Sequence, residues 1–425
     1  MSTETLTAEP VVQMERFRER LKELSQIGLD AEQGGLYRMA FTEGDMEGRA
    51  WLARQMEEIG LTVERDGAAN ISGRLEGTDP DAPVILVGSH LDTVPCAGTL
   101  DGSLGVLAGL ECVQAMKEAG IQPKHSIEVV SFSDEEGRFG GMFGSQSVAG
   151  QVTPDTLHNA RDLNGVKLAD VMERQGMDPW LALEARRDPQ SLLCYLELHI
   201  EQGPVLDTAR EQVGLVEDIT GLFKWGITLR GEANHAGTTP MEMRQDAFLG
   251  MAEFAYQIPR ILEENGSERS RATVGKAELF PGSANTVPGE ARFSLDVRDT
   301  DPEVLKELAS QFRRALSAIA RRRQLMFEFT VESEIEPVAC HRPLINLLEE
   351  KARKSSLSYR RMPSGAAHDA QIMATITPTV MLFTPSRGGK SHSPAEWTSW
   401  DDIQAASQLL LDTLVVLGEK GLPNS

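Results

Sequence analysis

Three stretches restrict the fold before anything else does. "APVILVGSH", "HSIEVVSFS" and "SLLCYLELHI" are short, nearly unbroken apolar runs. They lack the alternation of a sheet that meets water on one face, so they read as strands buried on both sides. Between the first two lies "GSLGVLAGLECVQAMKEAG", long enough and apolar enough for a buried helix. Strand, helix and strand in this order predict an α/β layer, with a mixed central sheet flanked by helices.

Upstream, Val12, Met14, Phe17, Leu21 and Leu24 fall near one helical stripe that ends at Gly28, and "EGRAWLARQMEEIG" reads as a second helix closed by Gly60. "LTVERDGAANISGRLEG" reads as two strands about a "DG" turn. From about Val213 the pattern changes. Strand "FKWGITLRG", a helix over about 244–263, strands "ATVGKAELF" and "ARFSLDVRD", helix "PEVLKELASQFRRALSAIARR" and strand "LMFEFTVE" give the order βαββαβ, that of a ferredoxin-like domain. Phe293, Leu295 and Val297 alternate with Arg292, Ser294, Asp296 and Arg298, so one face of this sheet packs on helices. Large-domain signals resume in "TPTVMLFTPS" and a closing helix from about 401. The expected organisation is a large domain of residues 1–212 and 333–425 with a small domain, 213–332, inserted into it.

Charge excludes some partners. The 425 residues carry a formal net charge of −22, which repels a nucleic-acid backbone or an anionic membrane. The one basic cluster, "ARRRQ" at 320–324, reads as a solvated helix end. No apolar run approaches the ~20 residues that span a bilayer, and "MSTETLTAEP" has no basic region followed by an apolar core. Cys96, Cys112, Cys194 and Cys340 are scattered without CxxC spacing, as expected of reduced, mostly buried thiols. These features give the expectation of a soluble, cytoplasmic protein.

The chemistry collects where the apolar runs stop. His90 ends "VGSH", Asp101 lies in the next loop, Glu135 and Glu136 follow "VVSFSD", His199 sits in "ELHIEQG", and His392 in "GKSHSPAE" follows "VMLF". Open α/β sheets hold ligands in the crevice beyond their strand ends. Each residue alone reads more readily as a structural histidine or an acidic turn. Together they are a metal site by ligand type. A divalent cation also explains why "SDEEG" sets three carboxylates side by side, since a ligating carboxylate is held ionised. Glu136 then binds metal and Glu135 is left free to carry a proton.

The motifs "GSHLDTV", "LDGSLGVLAG", "SDEEG", "ELHIEQGPVL", "HAGTTPM", "NTVPG", "DVRD", "PSGAAHDA" and "SHSPAEW" run in family order from about residue 85 to 397. In them the chain resembles the hydantoinase/carbamoylase family of dinuclear metal amidohydrolases, within the aminoacylase and carboxypeptidase-G-type metallopeptidases. "ELHIEQG" and "SGAAHDA" are the most specific signals. The resemblance implies two divalent ions per subunit (zinc, manganese, cobalt or nickel), with Asp101 bridging them, His90 and His199 completing one site, and Glu136 and His392 the other. It implies that Asp92 orients the His90 imidazole with its carboxylate, that Glu135 is the general base, and that His235 stabilises the tetrahedral oxyanion. It further implies that Gln202 and His368 contact the carbamoyl end, and that Asn285 and Arg298 bind the substrate's amide and carboxylate. Guanidinium suits the last role because it grips a carboxylate through two hydrogen bonds; a salt bridge to Asp296 or Asp299 is the plainer alternative. The inserted domain is expected to act as a lid and to form a homodimer. His125, His158 and His341 lie outside every motif and are expected to be structural or surface residues.

The expected reaction is cleavage of the C–N bond of an N-carbamoyl-L-amino acid to the amino acid, carbon dioxide and ammonia. Allantoate amidohydrolase, β-ureidopropionase and another amide or amine hydrolase on the same site are the near alternatives. A non-catalytic binding protein on this fold would have lost ligands, and none is missing. An aminopeptidase or dipeptidase would be expected to lack "ELHIEQG" and to carry a carboxylate where His199 stands. One departure bears on the pocket beside the leaving group. The family pattern E-E-G-x-R-F and a longer stretch to "GS" is here shortened to "EEGRFGGMFGS".

Overall fold

The computed structural model describes residues 9–423. The three apolar runs form strands Val84–His90, Ile127–Phe132 and Leu192–Ile200, and "TVMLFT" forms Thr379–Thr384. These four strands are parallel neighbours in the order Ile127–Phe132, Val84–His90, Leu192–Ile200, Thr379–Thr384. Apart from Leu193, every residue in them is buried. Antiparallel strands extend the sheet on both sides: Ile71–Leu75 and then Thr62–Arg65 beyond Ile127–Phe132, and Val213–Ile219 beyond Thr379–Thr384. The sheet is therefore mixed, with its parallel part at the centre, where burial on both faces demands the unbroken apolar sequence.

Helices cover it. Ser103–Glu118 lies on the three central strands and is itself overlaid by Trp400–Lys420, while Glu43–Ile59 packs on Ile71–Leu75. Ser103–Glu118 approaches closely because Gly105 has no side chain: a Cβ there would stand 2.3 Å from the Leu198 carbonyl oxygen. Gly105 of "LDGSLGVLAG" is thus a packing requirement. Of the four cysteines, Cys112, Cys194 and Cys340 are buried and Cys96 is half-buried.

By its internal contacts the chain divides into two compact units, residues 1–217 with 340–425, and residues 218–339. Val213–Ile219, expected from its sequence to open the small domain, instead pairs with Thr379–Thr384 in the large sheet. Local sequence cannot tell which sheet a strand joins.

In the second unit the strands run Arg271–Thr273, Glu290–Asp299, Gly221–Arg230, Met326–Ile335, all antiparallel, with Ala277–Phe280 also paired to Glu290–Asp299. Helices Ala247–Asn265 and Pro302–Arg323 share a core with one face of this sheet, where Phe254, Phe293, Leu295, Phe312 and Leu316 meet. This is the ferredoxin-like arrangement. The arginines of "ARRRQ" close Pro302–Arg323, where the helix dipole favours cations, and Arg322 and Arg323 pair with Glu253. Among the described residues no helix is long and apolar enough to cross a membrane.

Candidate metal centre

All five expected ligands lie in the first unit, at or beyond the carboxyl ends of the parallel strands. His90 is the last residue of its strand, and its Nδ1 is 3.0 Å from the Asp92 carbonyl oxygen. His199 is the penultimate residue of its strand, with Nδ1 2.8 Å from the Ile200 carbonyl oxygen. A carbonyl only accepts, so Nδ1 carries a proton in both rings and Nε2 is the nitrogen left to face the donor group. Both Nε2 atoms face Asp101 Oδ1, at 3.7 Å from His90 and 3.1 Å from His199. The other oxygen, Oδ2, faces His392 Nε2 at 3.5 Å, which in turn lies 3.4 Å from Glu136 Oε2. Two donor groups result, His90–Asp101–His199 and Asp101–Glu136–His392, joined by the two oxygens of one carboxylate.

The chemistry of these donors fits cations. His90 Nε2 and Glu136 Oε1 are buried without a hydrogen-bond partner, a costly state that ligation would relieve. Burial, and the carboxylates around them, push the Glu135 and Glu136 carboxyls well above the usual range. Burial lowers the His90 imidazole to about 4. At His199 burial also opposes the charged ring, but the hydrogen bond and charge of Asp101 outweigh it and raise the group to about 9. A third cluster, Glu197–His199–His368, has the right residue types. Its carboxylate is already engaged, accepting from Ser89 Oγ at 2.7 Å, Tyr195 OH at 3.2 Å and the Ala370 N–H at 2.9 Å. Glu197 therefore supports the strand ends and has little left for a metal.

The turn after Ile127–Phe132 separates the three acids of "SDEEG". Asp134 adopts a left-handed backbone, φ 52°, and its carboxylate accepts the Phe139 N–H at 3.1 Å, closing the loop on itself. Glu135 Oε2 comes 3.4 Å from His90 Nε2, whereas Glu136 turns to His392. Asp92 corrects the expectation from sequence. Its carboxylate stands 3.9 Å from His90 Nδ1 and instead accepts the N–H groups of Glu135 at 3.3 Å and Glu136 at 3.1 Å. Buried N–H groups in a turn need acceptors, and Asp92 is the carboxylate within reach, so its main chain is what holds the imidazole. Gly102, φ 63°, completes the floor: a Cβ there would meet the His90 ring at 2.4 Å.

The remaining expected site residues divide between the units. Gln202 donates from Nε2 to Asp101 Oδ2 at 2.8 Å, and its Oε1 is buried without a hydrogen-bond partner. His368 is buried with its ring 4.6 Å from that of His199, and its Nε2 is 2.9 Å from Ser364 Oγ. In the second unit, His235 lies on the short strand Asn234–His235 paired to Thr286–Val287. Its Nδ1 accepts the N–H groups of Gly237 at 3.0 Å and Thr238 at 3.3 Å, so the proton is on Nε2, and the residue is exposed. Asn285 accepts the Ala236 N–H at 2.9 Å through its carbonyl, just beyond His235. Arg298 donates from Nε to Asp296 Oδ1 at 2.9 Å and from Nη2 to Asp296 Oδ2 at 3.2 Å, the salt bridge weighed from sequence. His158 is exposed, His125 buried and His341 half-buried.

One residue of the site escaped sequence reasoning. Glu396 is buried, and its Oε1 accepts the N–H groups of Leu100 at 2.7 Å and Asp101 at 3.0 Å. Burial and the Asp101 charge raise its carboxyl to about 7. It ties the loop of Asp101 to the loop of His392. The only signal was its place in "SHSPAEW", four residues past His392.

Comparison with known proteins gives the family. Residues 86–415 match the family model described as peptidase family M20/M25/M40. An N-carbamoyl-L-amino acid amidohydrolase of Geobacillus stearothermophilus is 40% identical over 412 residues, spanning 96% of this chain and 100% of its own. An allantoate amidohydrolase of Escherichia coli is 36% identical over 394 residues, covering 91% of this chain and 95% of its own. Among solved structures, a hydantoinase/carbamoylase family amidase from Burkholderia multivorans superposes with a TM-score of 0.89 at 33% identity, over 98% of this chain and 100% of its own.

Proposed function

The chain belongs to peptidase family M20/M25/M40 and is an amidohydrolase of its hydantoinase/carbamoylase branch, and on that premise we propose that it hydrolyses N-carbamoyl-L-amino acids. Water attacks the ureido carbon, the bond to the amino-acid nitrogen breaks, and the carbamate released decomposes to carbon dioxide and ammonia. The observation that carries the reading is the pair of donor groups sharing Asp101, with Glu135 beside them and a member of neither.

In this reading His90, His199 and Asp101 hold one divalent ion, and Asp101, Glu136 and His392 the other; zinc, manganese, cobalt and nickel all suit such ligands. Bound there, the two ions would activate water and polarise the scissile carbonyl. Glu135 accepts a proton from the attacking water and delivers it to the leaving nitrogen, which its burial among carboxylates equips it to do. His235, protonated on Nε2, donates to the oxyanion. Gln202 and His368 contact the carbamoyl group, while Asn285 and Arg298 hold the amide and the carboxylate. The unit of residues 218–339 serves as lid and as the contact surface of a homodimer, and the protein works in the cytoplasm.

Allantoate is the second candidate substrate, favoured by the Escherichia coli relative. Initial rates on N-carbamoyl amino acids, allantoate and N-acyl amino acids, each with added manganese, cobalt, nickel or zinc, decide between them. Turnover of allantoate alone overturns the first reading.

A further inference from the structure

A cavity of about 340 Å³ opens beside Glu136, wholly within the first unit. Its walls are apolar where Met39, Ala40, Val94, Pro95 and Leu163 meet. Of the charged groups that also line it, Asp92, Arg138 and Asp162 are occupied. Asp92 is spent on the N–H groups of Glu135 and Glu136. Arg138 donates from Nη1 to the Ala40 carbonyl at 2.6 Å and from Nη2 to Asp162 at 3.4 Å, with its guanidinium stacked 4.8 Å from the Phe139 ring. Glu136, one wall of the cavity, also belongs to the donor group with Asp101 and His392. The cavity thus shares Glu136 with the candidate metal centre, and its fixed charges repel an anion or are already neutralised.

The loop after Glu136 lines this space with Gly137 and Arg138. Arg138 follows Gly137 directly and folds back onto the loop of Asp162. On that loop Asp162 accepts the N–H groups of Asn164 at 2.9 Å and Val166 at 3.0 Å, and Leu163 projects into solvent, fully exposed. At about 340 Å³ the cavity sits at the small end of ligand pockets, room for one side chain of a substrate whose reacting group lies at the metals. A substituent seated there would cover Leu163 and the apolar wall.

We infer that this cavity receives the amino-acid side chain of the substrate and selects uncharged, apolar side chains of leucine to phenylalanine size. The inference rests on the amidohydrolase reading above and narrows it: N-carbamoyl-glycine, N-carbamoyl-aspartate and allantoate leave the cavity unfilled or bring polar groups to it.

The test compares kcat/KM for N-carbamoyl derivatives of L-methionine, L-phenylalanine, glycine and L-aspartate, using the metal-loaded full-length protein. The methionine and phenylalanine derivatives are expected to exceed the glycine derivative by about tenfold or more, the discrimination an apolar pocket supplies. Met39→Trp, which fills the cavity, is expected to reduce that ratio at least about tenfold with metal content unchanged. Leu163→Asp, on an exposed tip where folding is not at stake, is expected to act in the same direction. Equal rates on large and small side chains in the wild type, or variants that slow every substrate alike, overturn the pocket and leave the amidohydrolase reading standing. Failure to hydrolyse any N-carbamoyl amino acid overturns both.

Discussion

The carboxylate of Asp92 accepts the backbone N–H of Glu136 at 3.1 Å. With the Glu135 N–H on the same carboxylate, this pins the turn so that consecutive side chains diverge, Glu135 toward His90 and Glu136 toward His392. Two like residues are thereby sent in two directions by one turn.

That divergence predicts different failures. Glu135→Gln is expected to keep its metals and lose about 100- to 10,000-fold in kcat, the contribution of a general acid–base group. Glu136→Gln is expected to lose metal first, from the group it shares with Asp101 and His392. Metal analysis beside steady-state rates separates the two. A Glu135→Gln enzyme of near wild-type kcat would move the base elsewhere.

The paired donor groups predict two divalent ions per chain and activity sensitive to chelators. Because only Asp101 belongs to both groups, Asp101→Asn is expected to lower occupancy of both ions. His392→Ala is expected to lower one. Stoichiometry by elemental analysis of the purified proteins reads this directly; a wild type with one ion, still active after chelation, would remove the dinuclear site.

Much of this site was legible in the sequence, for a physical reason. A parallel sheet buried on both faces must be apolar until its strands end, so the polar residues just past "VILVG", "VVSFS" and "VMLF" are forced together at one edge. What was not legible depends on contacts distant in sequence or on a choice between main chain and side chain. Asp92 stands two residues from His90 as expected, yet it is the carbonyl that reaches the ring and the carboxylate that serves the next loop. Glu396 contacts Asp101 across 295 residues, and no local pattern announces such a partner. Nothing in the sequence of Val213–Ile219 says which sheet it joins, and its pairing with Thr379–Thr384 assigns it to the large one.

Glu396 yields a prediction of its own. Its Oε1 holds the N–H groups of Leu100 and Asp101, which fixes the direction of the shared carboxylate. Glu396→Gln retains an oxygen acceptor and is expected to keep most activity. Glu396→Ala strands two buried N–H groups, a loss of about 1–3 kcal/mol each where no water replaces the acceptor. The alanine variant is expected to bind metal more weakly and to unfold at lower temperature, measured by metal titration and calorimetry. Equal behaviour of the two variants would show that the hydrogen bonds do not set the position of Asp101.

Arg298 tests the reading of the substrate's other end. Its guanidinium is hydrogen-bonded to Asp296 at 2.9 and 3.2 Å, and the side chain is about one-third exposed. A partly exposed ion pair on a sheet adds little stability, about 0–1 kcal/mol, so loss of the arginine is not expected to unfold the second unit. A bidentate contact to a carboxylate is worth roughly 1.5–3 kcal/mol, or about ten- to over a hundredfold in kcat/KM. Arg298→Ala is therefore expected to cost that factor on N-carbamoyl amino acids, with thermal stability and metal content nearly unchanged. Arg298→Lys keeps the charge but not the fork and is expected to recover only part of it. An analogue whose carboxylate is amidated offers no anion to hold, and the same substitutions are expected to affect it little. If the acid and the amide suffered equally, Arg298 would be supporting the strand through Asp296 rather than holding substrate, and the preference for amino-acid carboxylates would lose its basis.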